Sequence, residues 1–278
     1  NQVRVNQVFA QADFRILTGF IEPHIFAGFS GGPKAVLPGV AAFETIRQNH
    51  GFDMLNHATA TWGHTSDNPV WQEMLKAAQM ADPGFLLNVT INRRRELTGV
   101  FAGDLPTAHA KGTEMVRETA MVPVDEPFDI VVSTNSGYPL DLNLYQSIKG
   151  MSCAAQIVRT GGDIIMASEC SKGIPDHGAY RELIHRAGSV DGITEMLSDP
   201  GFRSHDQWQI QLQGRLLSKA HVHLYADGLT DEQIKGMLFK PCHSIEDTLA
   251  TCAQRHGPQA RICVLPEGPQ TIPYLRGN

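Results

Sequence analysis

Residues 14–21 form a short apolar run with Ile16, Leu17, Phe20 and Ile21, which predicts a buried strand. A glycine-rich loop follows over 27–39, and residues 41–55 read as a helix. Asn68-Pro69 supplies a cap and a first-turn residue for a second helix running to Met80. Residues 85–91 and 96–102 predict two strands joined by the turn Arg93-Arg94-Arg95, and 106–119 another helix. Pro123, Asp125, Glu126 and Pro127 crowd one six-residue stretch, where a domain boundary is expected. Beyond it, strands (128–134, 163–167, 220–225, 260–265) alternate with helices (143–159, 179–197, 206–218, 244–256). Thr230 opens a further helix, with Gln233 in the capping-box position.

That alternation predicts an α/β protein of two lobes, 1–122 and 123–278. The second is a Rossmann-like parallel sheet covered on both faces, with ligands at the carboxyl ends of its strands. Hydrophobic residues make up 42% of the chain, enough for a sizeable core and too many for a disordered chain. The net charge of -6 leaves no footprint for nucleic acid. No apolar run approaches the roughly 18–20 residues of a membrane span. Five cysteines without a C-x-x-C pair read as buried free thiols, the usage of a reducing cytoplasm. The chain begins with Asn1 and reads as a portion of a longer protein.

The densest chemistry lies between Glu22 and His50. Gly28, Gly31 and Gly32 expose backbone around a lysine, Lys34. The spacing is not that of a nucleoside triphosphate loop, because Gly32 is followed by Pro33, Lys34 and Ala35. Just beyond the first strand, His24 is placed for acid–base work. Lys34 is a potential covalent anchor or anion clamp, and His50, on the following helix, a potential metal ligand. Each taken alone has a plainer reading, as a structural histidine, a solvated lysine or a simple turn. A second group, Tyr145, Gln146 and Lys149, places an amide and an ammonium on one helical face, suited to a small carboxylate; the plainer reading is a surface lysine. His221 and His223 share one face of a strand, as a sheet-end pair or, less favoured, part of a zinc site.

Together these residues change the picture. The string from Glu22-Pro-His24 through Gly31-Gly32, Lys34 and Leu37-Pro-Gly39, with Asn49-His50, resembles the nickel-pincer-nucleotide-dependent lactate racemase family. The likeness continues through Ala102-Gly-Asp104, Ala108-His109 and Tyr145-Gln-Ser-Ile-Lys149-Gly. It implies racemisation or epimerisation of a 2-hydroxy acid by proton-coupled hydride transfer to a nickel-pincer nucleotide, with the active site in the cleft between the lobes. By this resemblance Lys34 tethers the nucleotide, His50 ligates Ni(II) and His24 exchanges a proton with the substrate hydroxyl. Ser30, Gly31 and Gly32 line the cofactor, Gln146 and Lys149 hold the substrate carboxylate, and Tyr145 and Phe26 line the pocket. Partners would be the small hydroxy acid and the proteins that make and load the pincer; without that loading the purified chain would be the apo form. The family's second acid–base histidine and its Asp-x-x-Thr-Arg-Pro-like phosphate segment lie upstream of anything matched here, and Pro33 stands where a basic residue is frequent. A cofactor-free carboxylate-binding module is the alternative.

Overall fold

A computed structural model describes residues 2–277. It divides into two compact units, the first ending at Met121 and the second beginning at Val122.

In the first unit the strand Ile16–Phe20 pairs in parallel with Phe85–Ile91, which pairs antiparallel with Leu97–Gly103. Asn92 closes that hairpin, its Oδ1 accepting from the N–H groups of Arg94 and Glu96, while Arg95 takes φ 61°. One face of this mixed sheet is buried through Leu17, Leu86, Asn88 and Thr90, beneath the helices Pro69–Met80 and Leu105–Ala120. The other face leaves Ile16, Phe20, Leu87 and Val100 exposed, an apolar surface of the kind that normally meets another layer. Between strands, Pro23–His24 and Gly28–Phe29 form a small antiparallel ladder, and Gly32–Ala35 a 3-10 turn. Pro33, Val36 and Leu37 are buried, which anchors the segment carrying Lys34; the last two contribute about 1.5–3 kcal/mol each by apolar burial.

Three expectations need correction in detail. The helix predicted over 41–55 is two, Phe43–Asn49 and Phe52–Asn56, broken at Gly51; His50 is therefore a C-cap and not a helical residue. The helix predicted over 179–197 is also two, Tyr180–Ala187 and Val190–Ser198, because Gly188 turns left-handed (φ 65°) and Ser189 caps afresh. The proline-rich break contains a strand, Met121–Val124, paired with Ile272–Leu275.

The second unit holds a five-stranded parallel sheet ordered Lys240–Pro241, Ala220–Tyr225, Val158–Ala167, Phe128–Thr134, Ile262–Leu265. The chain winds one way from Phe128–Thr134 and returns to its other side with Ile262–Leu265, so the strand order reverses there. In open α/β sheets, ligands sit at the carboxyl ends beside such a reversal. Asn135 occupies that position: buried, it accepts from the Gly150 N–H (2.9 Å) and so pins the helix Leu144–Ile157 to the strand end. The capping box of Thr230 and Gln233 is present. Among the described residues, no helix is long and apolar enough to cross a membrane.

Candidate functional site

The hairpin 23–29 sets the geometry of the first unit's site. His24 Nδ1 accepts from the backbone N–H groups of Phe26 (3.2 Å) and Ala27 (3.1 Å). A neutral imidazole that accepts at Nδ1 carries its proton on Nε2, an assignment made from the hydrogen-bond network. Nε2 lies 3.1 Å from Lys34 Nζ. Lys34 thus stands within hydrogen-bonding distance of the ring, and its charge also bears on His50, whose pKa it lowers.

His50 stands on the same side of the loop. Its Nδ1 donates to the Ile46 carbonyl (3.2 Å), which places the ring's lone pair on Nε2. Burial, and next any positive charge on Lys34, lower its pKa to about 4, against the opposing pull of the Ile46 carbonyl. The imidazole is thus neutral at pH 7, as a metal ligand must be. Phe26 packs edge-on against both rings, 5.7 Å from His50 and 6.4 Å from His24. Asn68 caps the helix Pro69–Met80 through Oδ1 while its amide donates to the Phe26 carbonyl (2.8 Å), tying this corner to the scaffold. His24, Phe26, Lys34 and His50 are therefore brought together, from elements formed for separate local reasons.

Ser30 and Gly32 have structural engagements. Ser30 Oγ donates to the Phe20 carbonyl (2.9 Å) and accepts from the Glu22 N–H (3.0 Å). The Gly32 N–H donates to Asn88 Oδ1 (2.7 Å). A Cβ on Gly31 would come within 2.7 Å of Asn88 Oδ1, and one on Gly32 within 2.5 Å of the His109 ring. Asn88 and His109, to which no role fell on sequence grounds, are thus what shapes the loop. His109 is buried, reaches the Ser30 carbonyl through Nε2 (2.9 Å) and stacks on Trp71 (6.0 Å, 21°). For Asn88 the available signal was a polar residue in the buried phase of a strand. A hollow of about 570 Å³ in this unit is lined by Asp67, Gln72, Glu73 and Lys76 beside the helix Pro69–Met80, and neither His24 nor Lys34 is among the residues that line it.

In the second unit, Asn143 caps the helix Leu144–Ile157 by accepting from the Gln146 N–H (3.1 Å). Gln146 and Lys149 lie half-buried three residues apart on it. The Tyr145 hydroxyl donates to Asp206 Oδ1 (3.3 Å) and accepts from Trp208 Nε1 (2.9 Å), while Gln209 holds the Tyr145 carbonyl (2.7 Å). Burial, then the Asp206 carboxylate, push the tyrosine's pKa upward, so it stays a hydroxyl. Asp206 and Trp208 also went unread in the sequence. Asp206 opens the helix Gln207–Lys219 with a left-handed φ of 62°, and its Oδ2 accepts from the Ala179 N–H (2.9 Å).

Fold and site define an α/β protein in which a neutral imidazole suited to a metal stands in one cluster with an amine suited to covalent attachment. Residues 124–272 match the lactate racemase C-terminal domain and residues 1–63 the lactate racemase N-terminal domain. The chain belongs to the lactate racemase family. It is 36% identical over 265 residues to the lactate racemase of Lactiplantibacillus plantarum, covering 95% of this chain and 62% of that protein. It is likewise 36% identical over 272 residues to the lactate racemase of Thermoanaerobacterium thermosaccharolyticum, covering 98% and 64%. The lactate racemase apoprotein structure from the latter organism superposes with a TM-score of 0.92 at 35% identity, over 98% of this chain and 65% of that one. A Thermotoga maritima protein at 17% identity and TM-score 0.73, over 99% of this chain and 70% of that one, shares the fold. The chain thus spans a little under two thirds of the length of its curated relatives.

Proposed function

We infer that this chain carries the cofactor-attaching and carboxylate-binding parts of a racemase or epimerase acting on lactate or a related 2-hydroxy acid. The observation that carries this reading is the cluster of His24, Lys34 and His50, which sets a primary amine able to form the thioamide tether beside an acid–base imidazole and a potential metal ligand. The donor chemistry fits a nickel pincer: His50 would hold the Ni(II) ion through a neutral imidazole lone pair on a fixed ring, a donor type nickel takes. Bound there, the nickel-pincer nucleotide would supply the acceptor for the α-hydrogen of the substrate, avoiding a carbanion at a very weakly acidic carbon.

The chain's own residues do the rest. His24 exchanges a proton with the substrate's hydroxyl oxygen through Nε2, the ring atom that carries the proton here, while the Phe26 and Ala27 N–H groups hold the ring. Gln146 and Lys149 receive the carboxylate as hydrogen-bond donor and cation. Phe26 and Tyr145 supply pocket walls, and the loop of Ser30, Gly31 and Gly32 gives the nucleotide a surface without side chains beyond one hydroxyl. In a chain of the relatives' length, the amino-terminal part would supply the second histidine and the phosphate segment. The working environment is the cytoplasm, with loading by the pincer biosynthesis proteins.

Coexpression with that machinery tests the reading. Intact-mass and peptide spectra should place an adduct on Lys34, with nickel present, and the full-length protein should interconvert the enantiomers of lactate or a close analogue on a chiral column. An unmodified Lys34 under those conditions would favour a carboxylate-binding module without turnover.

A further inference from the structure

At the opposite end of the parallel sheet from Asn135, the Asp163 carboxylate is fully buried beneath the helix Ile245–His256, its strand position level with Ile130 and His221. His223 Nε2 lies 2.9 Å from Asp163 Oδ1. Oδ2 receives the Arg255 guanidinium and His256 Nε2, the latter at 2.7 Å. Cys252 Sγ is 3.7 Å from His223 Nε2, and donor atoms of Asp163, His223 and Cys252 all lie within 4.8 Å of one another.

The two oxygens have different surroundings. Arg159 can only donate, and its guanidinium is 2.8 Å from His256 Nδ1. His256 therefore accepts at Nδ1 and gives its Nε2 proton to Oδ2. Oδ2 is occupied twice over, which fixes the carboxylate, while Oδ1, His223 Nε2 and Cys252 Sγ converge with a single proton between oxygen and nitrogen.

We propose that Asp163, His223 and Cys252 form a binding site for a borderline-soft divalent cation of the Zn(II) class, which replaces that shared proton. Carboxylate, imidazole and thiolate are the three ligand types zinc takes. With bonds of about 2.3 Å to sulfur and about 2.0–2.2 Å to nitrogen and oxygen, tetrahedral donors stand roughly 3.3–3.6 Å apart. The sulfur–nitrogen spacing is already near this, and the oxygen–nitrogen spacing opens by a few tenths of an ångström. On binding, the His223 proton moves to Nδ1 and the Cys252 thiol proton leaves to solvent, so the ion's two charges are balanced by carboxylate and thiolate. Arg255 and His256 remain on Oδ2 as the outer hydrogen bonds that orient a ligating carboxylate. The fourth position is left to water, reached past the partly exposed His223 (15%). The ion would staple this helix to the strands Val158–Ala167 and Ala220–Tyr225.

The test uses the chain stripped with chelator, reloaded with Zn(II) or Co(II) and dialysed. One zinc per chain should remain in both the wild type and His50→Ala, which separates this site from the one proposed for nickel. Co(II) should give a near-ultraviolet thiolate charge-transfer band that Cys252→Ser removes, with zinc affinity falling at least tenfold in Cys252→Ser and in His223→Gln. Zinc should raise the thermal midpoint of the wild type and not of Cys252→Ser. A wild type without the band, or a band that survives Cys252→Ser, would overturn the proposal and leave a hydrogen-bonded buried carboxylate.

Discussion

Gly32 rests on His109: its backbone takes φ 52°, and a single added carbon there would meet the imidazole at 2.5 Å. The ring cannot retreat, because it is buried, bonded to the Ser30 carbonyl and stacked on Trp71. Gly32→Ala should therefore lose about 2–4 kcal/mol, combining left-handed strain with overpacking. Gly161→Ala is the comparison, since Gly161 also has a left-handed φ (76°) but nothing within 4 Å of the point a Cβ would occupy. It should lose less, by the overpacking part. Denaturant unfolding of both variants checks this, and equal losses would show that the ring is not the obstacle.

His109 also makes stability depend on pH. Burial lowers its pKa, with the Ser30 carbonyl pulling the other way. The unfolded chain, titrating near the ordinary value of roughly 6.5, then binds more protons than the folded one as the solution is acidified. The contribution is complete above that value and is lost as pH falls through it toward the lower folded pKa. His109→Gln, which keeps a donor for Ser30, should flatten the fall in unfolding free energy between neutral pH and roughly pH 5. An unchanged slope would remove His109 as a source.

Tyr145 holds Trp208 and Asp206 together through one hydroxyl. Tyr145→Phe deprives the indole N–H of its acceptor and Asp206 of one donor, and should cost about 1–3 kcal/mol. Trp208 fluorescence should change with it. If the Gln146–Lys149 face binds carboxylates as proposed, the affinity for lactate analogues should fall as the helix start loosens, measured by calorimetry. A variant as stable as the wild type would mean the hydroxyl network carries no load.

Much of this was legible in the sequence for simple reasons. Strands such as Phe128–Thr134 carry an apolar run, Ile130-Val131-Val132, because both faces are covered, and caps such as Asn68 and Thr230 announce their helices through a side chain that can bond the first free N–H groups. The His24–Lys34–His50 grouping was legible because a glycine loop brings it together locally. What escaped depends on distant contacts. Asn88 bonds Gly32 across fifty-six positions, and Asp206 reaches Tyr145 across sixty-one. The helix break at Gly51 escaped because Phe43, Ile46, Leu55 and their neighbours keep a helical period across it, while the His50 ring bonds back to Ile46 and ends the first segment.

Lys34 and His50 should separate cleanly when changed one at a time. Lys34→Ala removes the only amine at the proposed attachment point, so the mass adduct should vanish and nickel should fall with it, the imidazole alone being a weak monodentate site. His50→Ala leaves the Lys34 amine beside His24, so the adduct should persist while nickel drops by at least tenfold. Because His50 also donates to Ile46 and packs on Phe26, His50→Gln is the second variant, retaining a donor at that carbonyl. Intact mass and elemental analysis on the same samples give both readouts without any assay of turnover. Loss of the adduct in both His50 variants, with folding preserved by circular dichroism, would mean that the ring prepares the lysine and does not merely hold the metal. Nickel retained in Lys34→Ala would show that the tether is not what brings the metal in.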